Sequence, residues 1–214
     1  MDKPEKYYTQ SRSEMLSFIP KTASKILEVG CGRGIFSSQL LTSKREIWGV
    51  EINSNIAKEA SNKLFKVIAK PFVDALSELP DNYFDVIIFN DVLEHLLYPW
   101  DDLLKIKPKL KDNGVIVSSI PNVRYSKNLF NFLFKKDWKY TKQGILDSTH
   151  FRFFTKKSIK QLYKKSGYEI ITIKGINITK SFAFFPFAVL FNIIFLGTQL
   201  DMFFMQYAVV AKKQ

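Results

Sequence analysis

The chain has 214 residues, 46% hydrophobic and 15% aromatic, which is enough to bury a full core and excludes an intrinsically disordered protein. Its 32 lysines and arginines against 20 aspartates and glutamates give a net charge of +12, which points to an anionic partner such as nucleic acid, lipid headgroups or an acidic substrate. A single cysteine, Cys31, excludes an internal disulfide framework and fits a reducing compartment.

In chain order, the opening "MDKPEKYYTQSRSE" is polar and lacks the apolar core of a signal peptide, so the expected location is the cytoplasm, with residues 1–24 as an N-terminal cover. "KILEVG" reads as a first strand and "EIWGVEIN" as a second. Asn53 sits where a helix N-cap belongs, before "SNIAKEASNKL", and "FKVIAK" follows as a short third strand. "FDVIIFND" is so uniformly apolar that burial on both faces is expected. A helix through "WDDLLKIKPKLK" should end near Pro108, and a turn at Asn113-Gly114 should deliver "GVIVSSIPN" as the fifth strand. The helix in "TKKSIKQLYKKSG", with Thr155 as cap and Gly167 as stop, leads to "YEIITIKGI", and "QYAVVAKK" is the last strand. Strands and helices alternate as in a parallel α/β sheet, and neither a repeat nor a low-complexity linker marks a second domain, so residues 1–214 read as one domain.

Between the first strand and its helix, Gly30, Gly32 and Gly34 form G-x-G-x-G, where the dinucleotide fingerprint is G-x-G-x-x-G. Such a turn lets the backbone approach a ligand at the carboxyl edge of the sheet. Glu28, inside the preceding strand, suits a cationic amino group better than a pyrophosphate. Glu51 ends the second strand about 20 residues on, where an acidic side chain accepts hydrogen bonds from ribose. Together these describe an adenosine-type site with no phosphate requirement.

"ILEVGCGRG", "GVEIN", "VDALSELPDNYFDVIIFNDVLEHL" and "LKDNGVIVSSIPN", in that order over residues 25 to 122, resemble the motif blocks of class I S-adenosylmethionine-dependent methyltransferases. The resemblance implies a Rossmann-like fold: a mostly parallel seven-stranded sheet, helices on both faces and an antiparallel last strand. It also implies a cofactor set. Glu28 and Gly30 would lie near the methionine moiety, Glu51 would hold the ribose, Asp74 would contact the adenine amino group and Asn90 and Asp91 would flank the methionine end, with Cys31, Gly32, Gly34, Ile52 and Ala75 completing the cofactor set.

Residues 122–154 occupy the place of an acceptor-covering insertion and mix Tyr125, Trp138 and Tyr140 with Arg124 and Arg152, rings that stack on sugars or bases beside cations that hold carboxylates or phosphates. The plainer alternative is an amphipathic helix that packs Phe130, Phe132 and Phe134 inward with lysines in water. "PNVR" followed by "GILDSTHFRFFT" is similar to blocks in methyltransferases encoded among bacterial cell-surface polysaccharide genes, which implies a sugar hydroxyl on a saccharide or glycolipid as acceptor. Two other classes stay open: an RNA 2′-O-methyltransferase using the basic charge, less expected than a saccharide enzyme, and a small-molecule enzyme like those of the quinone pathway. A binding module with a degenerate fold is disfavoured by the intact Glu28, Gly30, Gly32 and Glu51.

A sugar hydroxyl is a poor nucleophile, so transfer to it benefits from a base or a metal, and the only two histidines, His95 and His150, lie in these informative blocks. If a helix starts after Asp91, then Asp91, Glu94 and His95 share one face; with His150 they form a candidate patch for a divalent metal such as Mg²⁺, and His150, His95 and Asp91 are the candidate catalytic residues. A comparable constellation occurs in methyltransferases of small-RNA 3′ termini and of the ubiquinone pathway. Finally, "SFAFFPFAVLFNIIFLG" within residues 181–200 is at the low limit for a membrane span and contains Pro186 and Asn192. It is expected instead as a buried or interfacial apolar insertion that meets an anionic membrane at its inner face, or else a second subunit in a homodimer, or packs as a simple core helix.

Overall fold

In the computed structural model, which describes residues 8–179 and 184–214, seven strands form one sheet. They are β1 (Lys25–Val29), β2 (Glu46–Val50), β3 (Lys66–Ile68), β4 (Phe84–Asn90), β5 (Leu110–Pro121), β6 (Tyr168–Ile178) and β7 (Phe204–Lys213), in the spatial order β3-β2-β1-β4-β5-β7-β6. β1 to β5 pair in parallel, and β7 runs antiparallel to both β5 and β6. This is the expected Rossmann-like α/β sheet with an antiparallel last strand. The helices are α1 (Ile35–Ser38), α2 (Ser54–Ser61), α3 (Phe72–Ala75), α4 (Pro99–Ile106), α5 (Ser126–Phe134), α6 (Lys156–Lys165) and α7 (Phe184–Ile194).

Burial follows the strand period of two on both faces. In β4, Phe84, Ile87 and Phe89 join the larger apolar cluster, with Leu103 and Tyr163, whereas Val86 and Ile88 join the opposite one, with Met15 and Phe36. Helix boundaries follow their capping chemistry. Asn53 Oδ1 accepts from the amides of Asn55 and Ile56 (3.0 and 3.2 Å), and Thr155 and Ser158 form a reciprocal capping box at the start of α6. Gly167, at φ +70°, ends that helix.

Two local expectations are corrected. Asn113-Gly114 is not a turn outside the strand: β5 already begins at Leu110, its register against β4 shifts between Phe84 and Val86, and a Cβ on Gly114 would stand 2.8 Å from Leu110 Cδ1. The helix expected after Asp91 is a single 3-10 turn, Leu93–His95. Residues 1–7 of the expected cover, residue 180, and 181–183 of the apolar insertion lie outside the described residues; the rest of that insertion forms α7 and leads into a 3-10 turn, Leu200–Phe203. Among the described residues no helix is long and apolar enough to cross a membrane.

Candidate active site

The carboxyl ends of β1, β2 and β4 meet at one edge of the sheet, where the turn after β1 holds Gly30, Gly32 and Gly34 at φ of 69°, 52° and 71°. The amides of Gly30 and Cys31 both donate to the Val50 carbonyl (2.8 and 3.1 Å), which pins the turn to β2. A Cβ on Gly30 would stand 2.7 Å from Val92 Cγ2, so close approach as well as φ requires glycine there. Gly34 N-caps α1 and faces Leu64 and Ala60, a packing position. The Cys31 side chain does not serve the edge: its thiol is buried against Gly49, and burial pushes its pKa far up, so only its backbone lines the turn.

Glu51 accepts from the amides of Gly32 (3.0 Å) and Asn53 (2.9 Å), so it couples the glycine turn to the start of α2. Beside it Ile52 is 71% exposed, and further along the edge Asp74 is exposed on α3 with Ala75 buried next to it. Glu28 is buried, accepts the Ser37 hydroxyl at 2.5 Å and lies 3.5 Å from Asn90 Nδ2. Burial pushes its carboxyl up to about 7. The buried Oδ1 of Asn90 has no hydrogen-bond partner among the described residues.

Asp91, at φ +52°, turns away from the expected metal patch. Ser119 Oγ (3.0 Å) and Gln206 Nε2 (2.6 Å) donate to one of its carboxylate oxygens, Arg12 pairs with the other, and Arg12 also donates to Gln206 Oε1 at 2.9 Å. The helical face that was to join Asp91 to Glu94 and His95 does not form, because the chain makes a left-handed residue and then a 3-10 turn. Asp91 therefore leaves the candidate metal set.

The other three members do converge. One oxygen of Glu94 and one nitrogen from each of His95 and His150 lie within 4.8 Å of one another. The imidazole rings meet edge to face with centroids 4.5 Å apart, and His150 Nε2 is 4.0 Å from Glu94 Oε1. Two amides, of Phe151 and Arg152, donate to the Glu94 carbonyl (2.9 and 3.1 Å) and so stitch the 3-10 turn to the loop carrying His150. His95 Nδ1 faces the Thr149 carbonyl at 3.1 Å and His150 Nδ1 the Ile145 carbonyl at 3.0 Å. A carbonyl only accepts, so in each neutral ring the proton sits on Nδ1 and the lone pair on Nε2. Glu94 is 1% exposed, neither of its carboxylate oxygens has a hydrogen-bond partner among the described residues, and burial pushes its carboxyl up to about 8.

A family model described as a methyltransferase domain matches residues 4–173. The chain belongs to the methyltransferase-domain family. An uncharacterised protein of Methanocaldococcus jannaschii is 25% identical over 190 residues, 82% of this chain and 74% of that protein. A ubiquinone biosynthesis O-methyltransferase of Cereibacter sphaeroides is 24% identical over 164 residues, and the matched part spans 73% of this chain but 65% of that enzyme. Among solved structures, a SAM dependent methyltransferase from Archaeoglobus fulgidus superposes with a TM-score of 0.68 at 24% identity, covering 94% of this chain and 91% of that one.

S-adenosylmethionine fits the edge of this methyltransferase. Glu28 and Asn90 Oδ1 supply buried oxygens at this edge, Glu51 ends β2 beside the glycine turn, and Ile52 is exposed next to it, a donor and acceptor set that an ammonium group and an adenosine could use. The acceptor-side expectations fare unevenly. Arg124 is engaged within the protein by Asp201 (2.5 Å) and Gln199, and Arg152 by the Leu97 carbonyl and the Trp100 ring, so both arginines brace loops. Tyr125 is buried as the N-cap residue of α5. Trp138 and Tyr140 remain exposed and pack on Phe153, 5.3 and 6.3 Å between centroids, which lies 6.3 Å from His150. Sequence reasoning missed Arg12, Ser119 and Gln206 around Asp91, and Phe153. Only Phe153 carried a signal, its place in the quoted "THFRFF" block.

Proposed function

We propose that the protein is an S-adenosylmethionine-dependent O-methyltransferase acting on a hydroxyl, with a sugar hydroxyl of a cell-surface glycan precursor as the acceptor. One observation carries the O-methyl reading: the chain's only two histidines come together, each with Nε2 as the basic nitrogen, beside a buried carboxyl whose oxygens have no hydrogen-bond partner among the described residues. When bound at the glycine edge, S-adenosylmethionine supplies an electrophilic methyl group carried on a sulfonium. His150 Nε2 would take the proton of the acceptor hydroxyl as its oxygen gains the methyl carbon and the carbon–sulfur bond breaks to leave the neutral thioether, while the Ile145 carbonyl holds the ring in the right tautomer. Glu94, protonated near neutrality, is a hydrogen-bond donor there and not the base. Trp138 and Tyr140 offer the apolar faces on which a pyranose ring stacks.

A divalent ion fits the same three side chains, but two imidazoles and one carboxylate suit a borderline ion such as Zn²⁺ or Mn²⁺ better than Mg²⁺, which prefers oxygen ligands. The ubiquinone biosynthesis relatives favour a second reading, a phenolic hydroxyl of a quinone precursor. Incubation with methyl-labelled S-adenosylmethionine and fractionated glycolipid, polysaccharide, quinone-precursor and RNA pools separates these. Label in the saccharide fractions supports the proposal; label in RNA or in quinone precursors alone refutes it.

A further inference from the structure

α7 is inside out. Asn192 is its only polar residue, yet it is buried, where it bonds the carbonyls of Ala188 (2.9 Å) and Gln199 (3.1 Å) and accepts the Gln199 amide (3.0 Å). The branched residues point outward instead: Ile193 is 68% exposed, Ile194 63%, and Leu196, just past the helix, 91%. A helix that is apolar all round is normally enclosed. Among the described residues this one packs against α5, through Phe130 against Phe184 and Phe187 (5.6 and 5.4 Å) and Phe134 against Phe187 (5.7 Å), and against the Leu200–Phe203 turn, through Phe185 against Phe203 (5.4 Å), and its remaining side is open. The patch continues across α5, where Phe132 and Phe134 are themselves more than half exposed.

Charge identifies what covers this face. Lys135, Lys136, Lys139 and Lys142 follow directly on α5, all are exposed, and among the described residues none makes an ion pair. An apolar patch collared by unpaired lysines matches the two layers of an anionic bilayer surface, acyl chains below and phosphates above. A second copy of the chain fits worse, since a two-fold contact through the patch would set the same lysine collar against itself. The depth also fits. At 11 residues α7 is about 16 Å long, about half of a hydrocarbon core, so it can lie in the interface and cannot cross.

We infer that the α5/α7 face docks this methyltransferase on anionic lipid, with the side chains of α7 in the acyl boundary and the collar lysines on headgroup phosphates. The face is joined to the candidate catalytic cluster by a run of rings, Phe132 to Trp138 (6.1 Å), Trp138 to Phe153 (5.3 Å) and Phe153 to His150 (6.3 Å). Docking therefore sets the cluster beside the membrane surface, within reach of the head of a lipid-linked acceptor; that consequence rests on the O-methyltransferase reading, whereas the docking itself does not.

The test is co-sedimentation of the full chain with vesicles of phosphatidylcholine alone and of phosphatidylcholine mixed with phosphatidylglycerol. The expected result is binding to the mixed vesicles only, weakened by salt. Lys135→Gln with Lys136→Gln and Lys139→Gln should lower the partition, by about fivefold for each lysine removed. Ile193→Ser with Leu196→Ser, two exposed positions, should abolish it with the thermal melt and S-adenosylmethionine affinity unchanged. Absence of binding to the mixed vesicles overturns the inference, as does binding that both variants retain. So does light scattering that shows a dimer which the Ile193→Ser, Leu196→Ser variant dissolves while wild type ignores vesicles: a second copy is then the occupant. None of these readouts uses the acceptor, so a failed acceptor assay and a failed docking assay remain distinct.

Discussion

The glycine edge and the histidine cluster differ in how completely the protein satisfies its own polar groups. On the cofactor side, Glu51 holds two amides, Glu28 holds the Ser37 hydroxyl, and the glycine turn is bonded to β2, so apart from Asn90 Oδ1 the edge is built before any ligand arrives. At the histidine cluster, Glu94 is buried and neither of its oxygens has a hydrogen-bond partner among the described residues, and the exposed rings of Trp138 and Tyr140 reach the cluster through Phe153. Leaving a buried polar group unpaired costs about 1–3 kcal/mol. The contrast teaches that the glycine edge is satisfied by its own hydrogen bonds, whereas the histidine cluster leaves a buried carboxyl without a hydrogen-bond partner among the described residues.

The comparison is sharpened most by His150→Ala, which should lower methyl transfer about 10²–10⁴-fold while leaving S-adenosylmethionine affinity unchanged, as read by turnover and calorimetry on the same preparation. Glu94→Gln should do comparable harm only if a chelator also inhibits the wild type. If turnover survives both changes, proximity of the two substrates carries the reaction and the acceptor side is not the chemical half.

Next in size is the pH dependence of the cofactor side. Glu28 titrates near 7 in the folded protein and near 4.5 when unfolded, so between those values the native state binds the extra proton. Its contribution to stability is therefore complete below about 4.5 and is lost as pH rises through about 7, at most about 3 kcal/mol. Denaturant melts should show this slope and Glu28→Gln should flatten it. A cationic ligand beside Glu28 expels that proton, so calorimetry of S-adenosylmethionine binding just below pH 7, in buffers of different ionisation heat, should detect proton release.

Smaller effects test preorganisation directly. Glu51→Ala should weaken S-adenosylmethionine binding by about 1.5–3 kcal/mol, the range for hydrogen bonds to a charged group; unchanged affinity removes Glu51 from the ribose position. Gly30→Ala forces a side chain into left-handed φ and against Val92, and should lower stability by about 1–3 kcal/mol on thermal unfolding.

The two halves also differed in legibility. The sheet, the glycine turn and the helix caps at Asn53 and Thr155 follow from local patterns, in which period, turn chemistry and capping act within a few residues. His95 and His150 could be paired because they were the only histidines and sat in adjacent blocks of a known arrangement. The fate of Asp91 could not be read, since its carboxylate is claimed by Arg12 and Gln206, which lie 194 residues apart in the chain. Arg124 and Arg152 look like ligand cations in sequence, yet Asp201 and the Leu97 carbonyl, also distant in the chain, take them. Positions whose role is set by one remote partner carry no periodic signature.

The insertion of β7 between β5 and β6 has a consequence for the order in which the protein can be assembled. Until residues 204–213 have been made, β5 and β6 have no partner on the sides where β7 will lie, and the apolar stretch from Val115 to Ile120 presents an open strand edge. A nascent chain carrying everything before that point has the whole glycine edge in hand but an unfinished sheet, which is an invitation to pair with another nascent chain. Closure then draws Gln206 onto Asp91 and Arg12 in the same stroke. β7 thus both covers the facing edges of β5 and β6 and, through Gln206, joins the residues that hold Asp91.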